Sequence, residues 1–231
     1  DPTLINCITF NNFPNEIVLS YLGDGSSVSV SYSNIQDGLD SIVTNNNGTI
    51  TWGDGNIDLD PRFVDTDNDD YHLADWSPCI ATGLDTSIVS STDIEGNPRP
   101  NPAGSNPDMG AYENALGTPA EHIVITNDSL VVLEDSSSTI DLLDNDLILN
   151  ITSFTLAIVD SAENGTSALV GDSALTYTPN ENFFGYDTLS YRVFSNEAAD
   201  TGLVLITITA VNDAPVLESI DAQTTNEDTA K

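Results

Sequence analysis

The run Asp65-Thr66-Asp67-Asn68-Asp69-Asp70 sets carboxylates at alternate positions, the spacing of a loop that wraps a calcium ion. Calcium takes roughly six to eight oxygen ligands, which carboxylates and amide carbonyls supply. Asp70 stands where an EF-hand has its turn glycine, and no glutamate follows at the twelfth position. Asp65, Asp67 and Asp69 are therefore calcium ligands in one reading and parts of a solvated acidic turn in the other.

Acid-base and nucleophilic chemistry have less to work with. A lyase needs a base, and cations to neutralise a uronate, but the only cations are Arg62, Arg99, Arg192 and Lys231, scattered along the chain. Pairing with nearby carboxylates is the simpler role for Arg62 and Arg99. Aspartate is so common that a pair of carboxylates carries no information about glycoside hydrolysis. The only histidines, His72 and His122, fall in different modules, against a shared metal site or a Ser-His-Asp triad, and His72 reads as packing within its coil. Trp52 and Trp76 are either a sugar-stacking platform or amphipathic aromatics covering a coil end. The expectation is a protein that is not an enzyme.

The elements that must position these residues are strands. Segments of five to nine residues punctuated by Gly, Pro, Asn and Asp recur throughout, with no helical periodicity. Acidic residues number 37 against 4 Lys+Arg in 231, a net charge of -33, which excludes nucleic acid and anionic membranes as partners and favours cations. The 39% apolar content sits in alternating runs, so the charge decorates a folded chain. No apolar run approaches the roughly 18 residues of a membrane span. Scarce lysine with abundant Asn, Asp, Ser and Thr suits a secreted β-protein, and the missing initiator Met reads as a piece of a longer precursor.

Leu116-Gly117-Thr118-Pro119 separates two β patterns. Before it, Ile5-Asn6-Cys7-Ile8, Tyr32-Ser33-Asn34-Ile35 and Gly55-Asn56-Ile57 repeat an apolar-centred unit, with Ile8 to Ile35 27 positions and Ile35 to Ile57 22. A period in the twenties marks a solenoid of stacked turns. The series Trp52-Gly53-Asp54-Gly55-Asn56-Ile57, Pro61-Arg62-Phe63-Val64-Asp65, Asp70-Tyr71-His72-Leu73, Ser77-Pro78-Cys79-Ile80, Gly96-Asn97-Pro98-Arg99 and Asp108-Met109-Gly110-Ala111-Tyr112-Glu113 resembles the closing coils of right-handed parallel β-helix proteins of the choice-of-anchor Q type, over residues 1 to 115. Counting coils puts Cys7 and Cys79 about 14 Å apart, at about 4.8 Å per strand spacing. That distance is too long for a disulfide and leaves both thiols as buried apolar groups.

After the linker, taken as 116–121, Leu189, Tyr191 and Val193 alternate with polar residues, as do Val204, Ile206 and Ile208. About eight such strands read as a β-sandwich over 122–215. Glu134-Asp135, Asp144-Asn145-Asp146, Asn164-Gly165-Thr166, Phe184-Gly185-Tyr186-Asp187 and Val211-Asn212-Asp213 resemble the cadherin-like, immunoglobulin-like repeats of giant bacterial adhesins. That resemblance implies calcium near the domain ends, with Glu134, Asp135, Asn145, Asp146, Asp187 and Asp213 as candidate ligands. Turn-making is their alternative role. Asn226-Glu227-Asp228-Thr229 restarts the pattern of Leu133-Glu134-Asp135-Ser136, so 216–231 reads as the first strand of a further repeat or a donor strand.

The fold class expected is all-β: a short right-handed parallel β-helix followed by an immunoglobulin/cadherin-like β-sandwich. The function expected is a calcium-stiffened structural and adhesive module of a secreted or surface-exposed bacterial protein. Its partners are itself, through head-to-tail assembly or strand donation, or glycans on another surface. Lys231, the sole lysine, suits processing after it. A carbohydrate-binding or carbohydrate-active β-helix with an accessory sandwich is the alternative.

Overall fold

The computed structural model describes residues 2–19, 25–45 and 48–215. The strand expected at 216–231, with Glu227 and Lys231, lies outside these residues. Two compact units divide the chain. The first takes Asp1–Ile125, Asp146–Thr155 and Val193–Asp200; the second takes Thr126–Asn145, Leu156–Arg192 and Thr201 onward. His72 and His122 both fall in the first unit. The described elements are all strands apart from two 3-10 turns, Gly38–Ser41 and Thr66–Asn68, so the all-β expectation holds.

The first unit opens with β1 (Thr3–Ile5), β2 (Ile8–Thr9), β3 (Ile17–Val18), β4 (Ser26–Ser31), β5 (Asn34–Ile35), β6 (Ile42–Val43) and β7 (Gly48–Trp52). They pair in parallel as three ladders, β1-β4-β7, β2-β5 and β3-β6. Thr3 pairs with Ser29 and Ile8 with Asn34, 26 positions on in each case; Ser26 pairs with Gly48, 22 on. The interval first read as 27 is thus 26, and Ile35 sits beside Thr9 instead of Ile8. Backbone corners repeat at the same interval: Asn6 (φ 54°) and Tyr32 (φ 48°) share one left-handed corner, Asn11 (φ 61°) and Asp37 (φ 58°) another. Asn and Asp tolerate that conformation by bonding locally, whereas a tyrosine there is a genuine exception.

Alternation along β4 points Val28 and Val30 inward, each 1% exposed, and Ser27, Ser29 and Ser31 to the opposite face. With Leu19, Ile35 and Ile42 these valines form the core, flanked by Leu4, Ile50 and Trp52. Each such burial stabilises by roughly 1.5–3 kcal/mol. Trp52 therefore packs on the core from the last strand of its ladder, as the coil-end reading expects.

A hairpin follows, β8 (Phe63–Asp65) antiparallel to β9 (Asp70–Leu73). The acidic run is its turn, closed by Asp69 in the left-handed region at φ 59°. Beyond it the chain folds back. Cys79 Sγ lies 3.2 Å from Asn34 Nδ2, and Asn6 Nδ2 donates to the Leu84 carbonyl at 3.0 Å. Residues 77–84 thus lie against Asn6 and Asn34 instead of stacking as a further coil, which corrects the coil count used above for Cys7 and Cys79. Cys79 is buried, whereas Cys7 is only half-buried.

The remaining strands are β10 (His122–Val124), β11 (Asp128–Leu133), β12 (Ser138–Asp141), β13 (Leu147–Leu149), β14 (Thr155–Asp160), β15 (Gly165–Val170), β16 (Ala174–Pro179), β17 (Gly185–Phe194) and β18 (Ala199–Thr209). β10 pairs antiparallel with β13 in the first unit. In the second, a sheet ordered β11-β18-β17-β14 accompanies one ordered β12-β16-β15. β11 runs parallel to β18, from Asp128 beside Val204 to Leu133 beside Thr209. The alternation read from the sequence is the burial pattern: Leu189, Tyr191, Val204, Ile206 and Ile208 are all at most 3% exposed.

Candidate functional site

A cavity of about 430 Å³ opens in the first unit. Phe63 and Tyr71 come from the two strands of the hairpin, Cys7 and Ile8 from the first coil, and Met109 and Tyr112 from the returning segment. Phe63 and Tyr71 meet edge to face, centroids 5.4 Å apart. Gly110 N donates to the Asn6 carbonyl at 2.8 Å, which ties the returning segment to the first coil. A β-carbon at Gly110 (φ 101°) would stand 2.9 Å from Ile8 Cδ1, so only glycine allows that approach.

None of the lining side chains is a carboxylate or a cation. Burial pushes the Cys7 thiol up from its ordinary value, which keeps it protonated and poorly nucleophilic. Burial likewise pushes Cys79 up to about 11.

Behind Tyr112 lies His72. Its Nδ1 is 2.6 Å from Asp70 Oδ1, its Nε2 3.3 Å from Glu95 Oε2, and its ring lies 4.0 Å from that of Tyr112. The bond with Asp70, then that with Glu95, raises its pKa. His72 is therefore a clasp on the hairpin instead of a side chain packed within a coil. The other histidine, His122, stacks on Trp76 at 3.9 Å with planes 6° apart, and burial lowers its pKa.

The same segment holds a buried charge network. Arg99 Nε donates to Glu113 Oε2 at 2.6 Å, and Arg99 Nη2 to the carbonyls of Gly110 (3.0 Å) and Tyr112 (3.1 Å). Asp108 accepts from Ala81 N at 2.7 Å and Asn114 N at 2.6 Å, while burial pushes its carboxyl up to about 6. Arg62 pairs with Asp60 at 3.4 Å. Both arginines thus take the paired role expected of them.

The expected calcium ligands are spread over several elements. Asp65 Oδ2 accepts from Asn68 Nδ2 at 2.7 Å, within a turn where Asp67 and Asp69 are exposed. Glu134 is buried and accepts from Val211 N at 2.5 Å; Asp135 accepts from Asn182 N at 3.0 Å. Asn145 Nδ2 faces the Asn127 carbonyl at 3.4 Å, Asp146 follows it into the first unit, and Asp213 is exposed. Asp187 is saturated: Oδ2 accepts from Asn164 N (2.8 Å) and Tyr177 Oη (2.8 Å), Oδ1 from Thr188 N (2.8 Å) and Glu163 N (3.1 Å). Burial opposes its ionisation, but these four donors outweigh burial and hold its pKa below the usual carboxylate value. Among the described residues no three His, Cys, Asp or Glu side chains gather as a metal site.

Sequence reasoning missed the asparagines that stitch the coils. Asn34 donates to the Leu59 carbonyl at 2.7 Å and accepts from Leu59 N at 3.2 Å. Asn45 donates to Leu19 O and Asn56 to Val30 O, at 2.7 and 2.9 Å. The signal was present, because Asn34 and Asn56 stand inside the repeated units.

A family model described as a bacterial Ig domain matches residues 119–208. No curated protein matches the chain. Among solved structures, the chain is similar to an endo-fucoidan hydrolase from glycoside hydrolase family 107, at 14% identity over 39% of this chain, with a TM-score of 0.31; it spans 14% of that protein's length. It is also similar to a chimeric titin Z1Z2 functionalized with a KLER exogenous peptide from decorin, at 13% identity over 40% of this chain and 99% of that one, with a TM-score of 0.27.

Proposed function

We propose that this chain, whose residues 119–208 form a bacterial Ig-like domain, is a structural and adhesive module of a secreted or surface-exposed bacterial protein. Residues 1 to 115 are, in this reading, closing coils of a right-handed parallel β-helix. Three parallel ladders with steps of 22 to 26 residues support it. The observation that carries the structural role is where the buried polar chemistry goes. Asn34, Arg99, Glu113 and Asp187 are each bonded to several internal partners that fix backbone, and the walls of the cavity hold no acid-base pair. Such satisfied networks rigidify a fold.

Stiffness then comes from internal hydrogen bonds. Binding of glycans or of another copy of the chain is the adhesive part of the reading. Electron microscopy of the native protein in a chelator tests it. Extended rods or filaments that persist in chelator are expected. Flexible, collapsed particles, or cleavage of a polysaccharide by the purified protein, would overturn it.

A further inference from the structure

We propose that Asp70, His72 and Glu95 form a proton-operated clasp that holds the β8-β9 hairpin to the loop at residues 93–97 and, through Tyr112, fixes one wall of the aromatic cavity. The argument begins with valence. An ionised carboxylate only accepts hydrogen bonds, and a neutral imidazole has one N–H and one lone pair. His72 has a carboxylate oxygen on each ring nitrogen, Asp70 at 2.6 Å and Glu95 at 3.3 Å. A neutral ring can donate to only one of them and turns its lone pair toward the other. The imidazolium donates to both. The arrangement is therefore complete only when His72 carries the second proton.

Each end of the clasp is tied to a different part of the first unit. Asp70 and His72 stand on β9, and Asp70 Oδ1 also accepts from His72 N at 3.1 Å. Glu95 belongs to a loop built around Asp93, whose carboxylate accepts from Glu95 N (2.9 Å), Asn97 N (2.8 Å) and Glu113 N (3.1 Å). The Tyr112 ring lies on His72 at 4.0 Å, and its carbonyl accepts from Arg99 Nη2. The titratable and charged groups around His72 are thus Asp70 from its own strand, Glu95 and Asp93 from the loop, and Tyr112, Glu113 and Arg99 from the closing network. The direction of the His72 shift, upward, agrees with the geometry.

The sign follows. A histidine whose folded pKa is raised contributes stability that is full below the unfolded value of about 6.5 and is lost as pH rises through the folded pKa. Above that point the Glu95 contact opens first, being the longer, and the loop and the Tyr112 wall are released.

Proton NMR of the whole chain from about pH 5 to 9 tests this, because only two histidines contribute imidazole signals. His72 is expected to titrate above about 6.5, with the amides of residues 93–97 and the Tyr112 ring shifting at the same midpoint. Glu95→Gln should lower that midpoint and silence the loop response while leaving the His122 midpoint in place. A His72 midpoint at or below about 6.5, or a loop that ignores its titration, would overturn the proposal.

Discussion

Arg99 Nε meets Glu113 Oε2 at 2.6 Å with the two side chains 9% and 0% exposed, so this ion pair is closed from water. Glu113 Oε1 also accepts from Asn101 N at 3.0 Å. Breaking a buried pair strands a charge, at a cost of about 3–5 kcal/mol. Arg99→Met is expected to lose that much in urea denaturation, and adding Glu113→Gln should recover part of it.

Tyr177 Oη donates to Asp187 Oδ2 at 2.8 Å in the interior of the second unit. Tyr177→Phe removes one donor from a buried carboxylate and should cost about 1–3 kcal/mol. Because the folded pKa of Asp187 is depressed, its contribution is present above the usual carboxylate range and is lost as pH falls through the folded value. Denaturation of the native protein and of Asp187→Ala at pH 7 and in acid checks the sign: the gap between them should narrow in acid.

A β-carbon at Gly165 would lie 2.5 Å from Tyr177 Cζ and 2.6 Å from the Thr178 carbonyl. Gly165→Ala must displace a buried ring, with an expected loss of about 1–3 kcal/mol. Gly171, with open space around its β-carbon position, is the control for steric crowding, although its φ of 65° makes alanine strained there. Thermal unfolding of the two variants should show the larger fall for Gly165→Ala.

Asp108 behaves in the opposite sense to Asp187. Burial raises its carboxyl to about 6 in the fold, so the unfolded chain ionises first and stability falls as pH climbs from about 4 to about 6. The shift amounts to about 3 kcal/mol over that window. Asp108→Asn cannot titrate, and the stability of native protein relative to this variant should decline across the same window in denaturation series at stepped pH.

Strands announce themselves in this chain because alternation is a local property: Val28 and Val30, or Val204, Ile206 and Ile208, can be read in or out without knowing their partners. The sandwich was legible on that basis, and residues 119–208 match a bacterial Ig domain. Register was less legible. Ile8 and Ile35 look equivalent by type, but the corners at Asn6 and Tyr32 set the step at 26 positions and place Ile8 beside Asn34. The candidate site was least legible, since Tyr71, Met109 and Tyr112 meet only after the chain returns past Cys79 to the first coil. Acidic residues are ambiguous in sequence for a physical reason: a carboxylate that accepts from its own fold, as Asp187 does from three backbone N–H groups and Tyr177 Oη, looks there like one that awaits a cation.

Thermal unfolding of the chain in excess calcium and in excess chelator tests the central claim, that internal hydrogen bonds hold this module whether or not calcium is present. A native calcium site at about 100 times its Kd would add about 2.7 kcal/mol and lift Tm by several degrees. The account predicts coincident transitions in the two conditions. A transition that moves several degrees lower in chelator and returns with added calcium would contradict it.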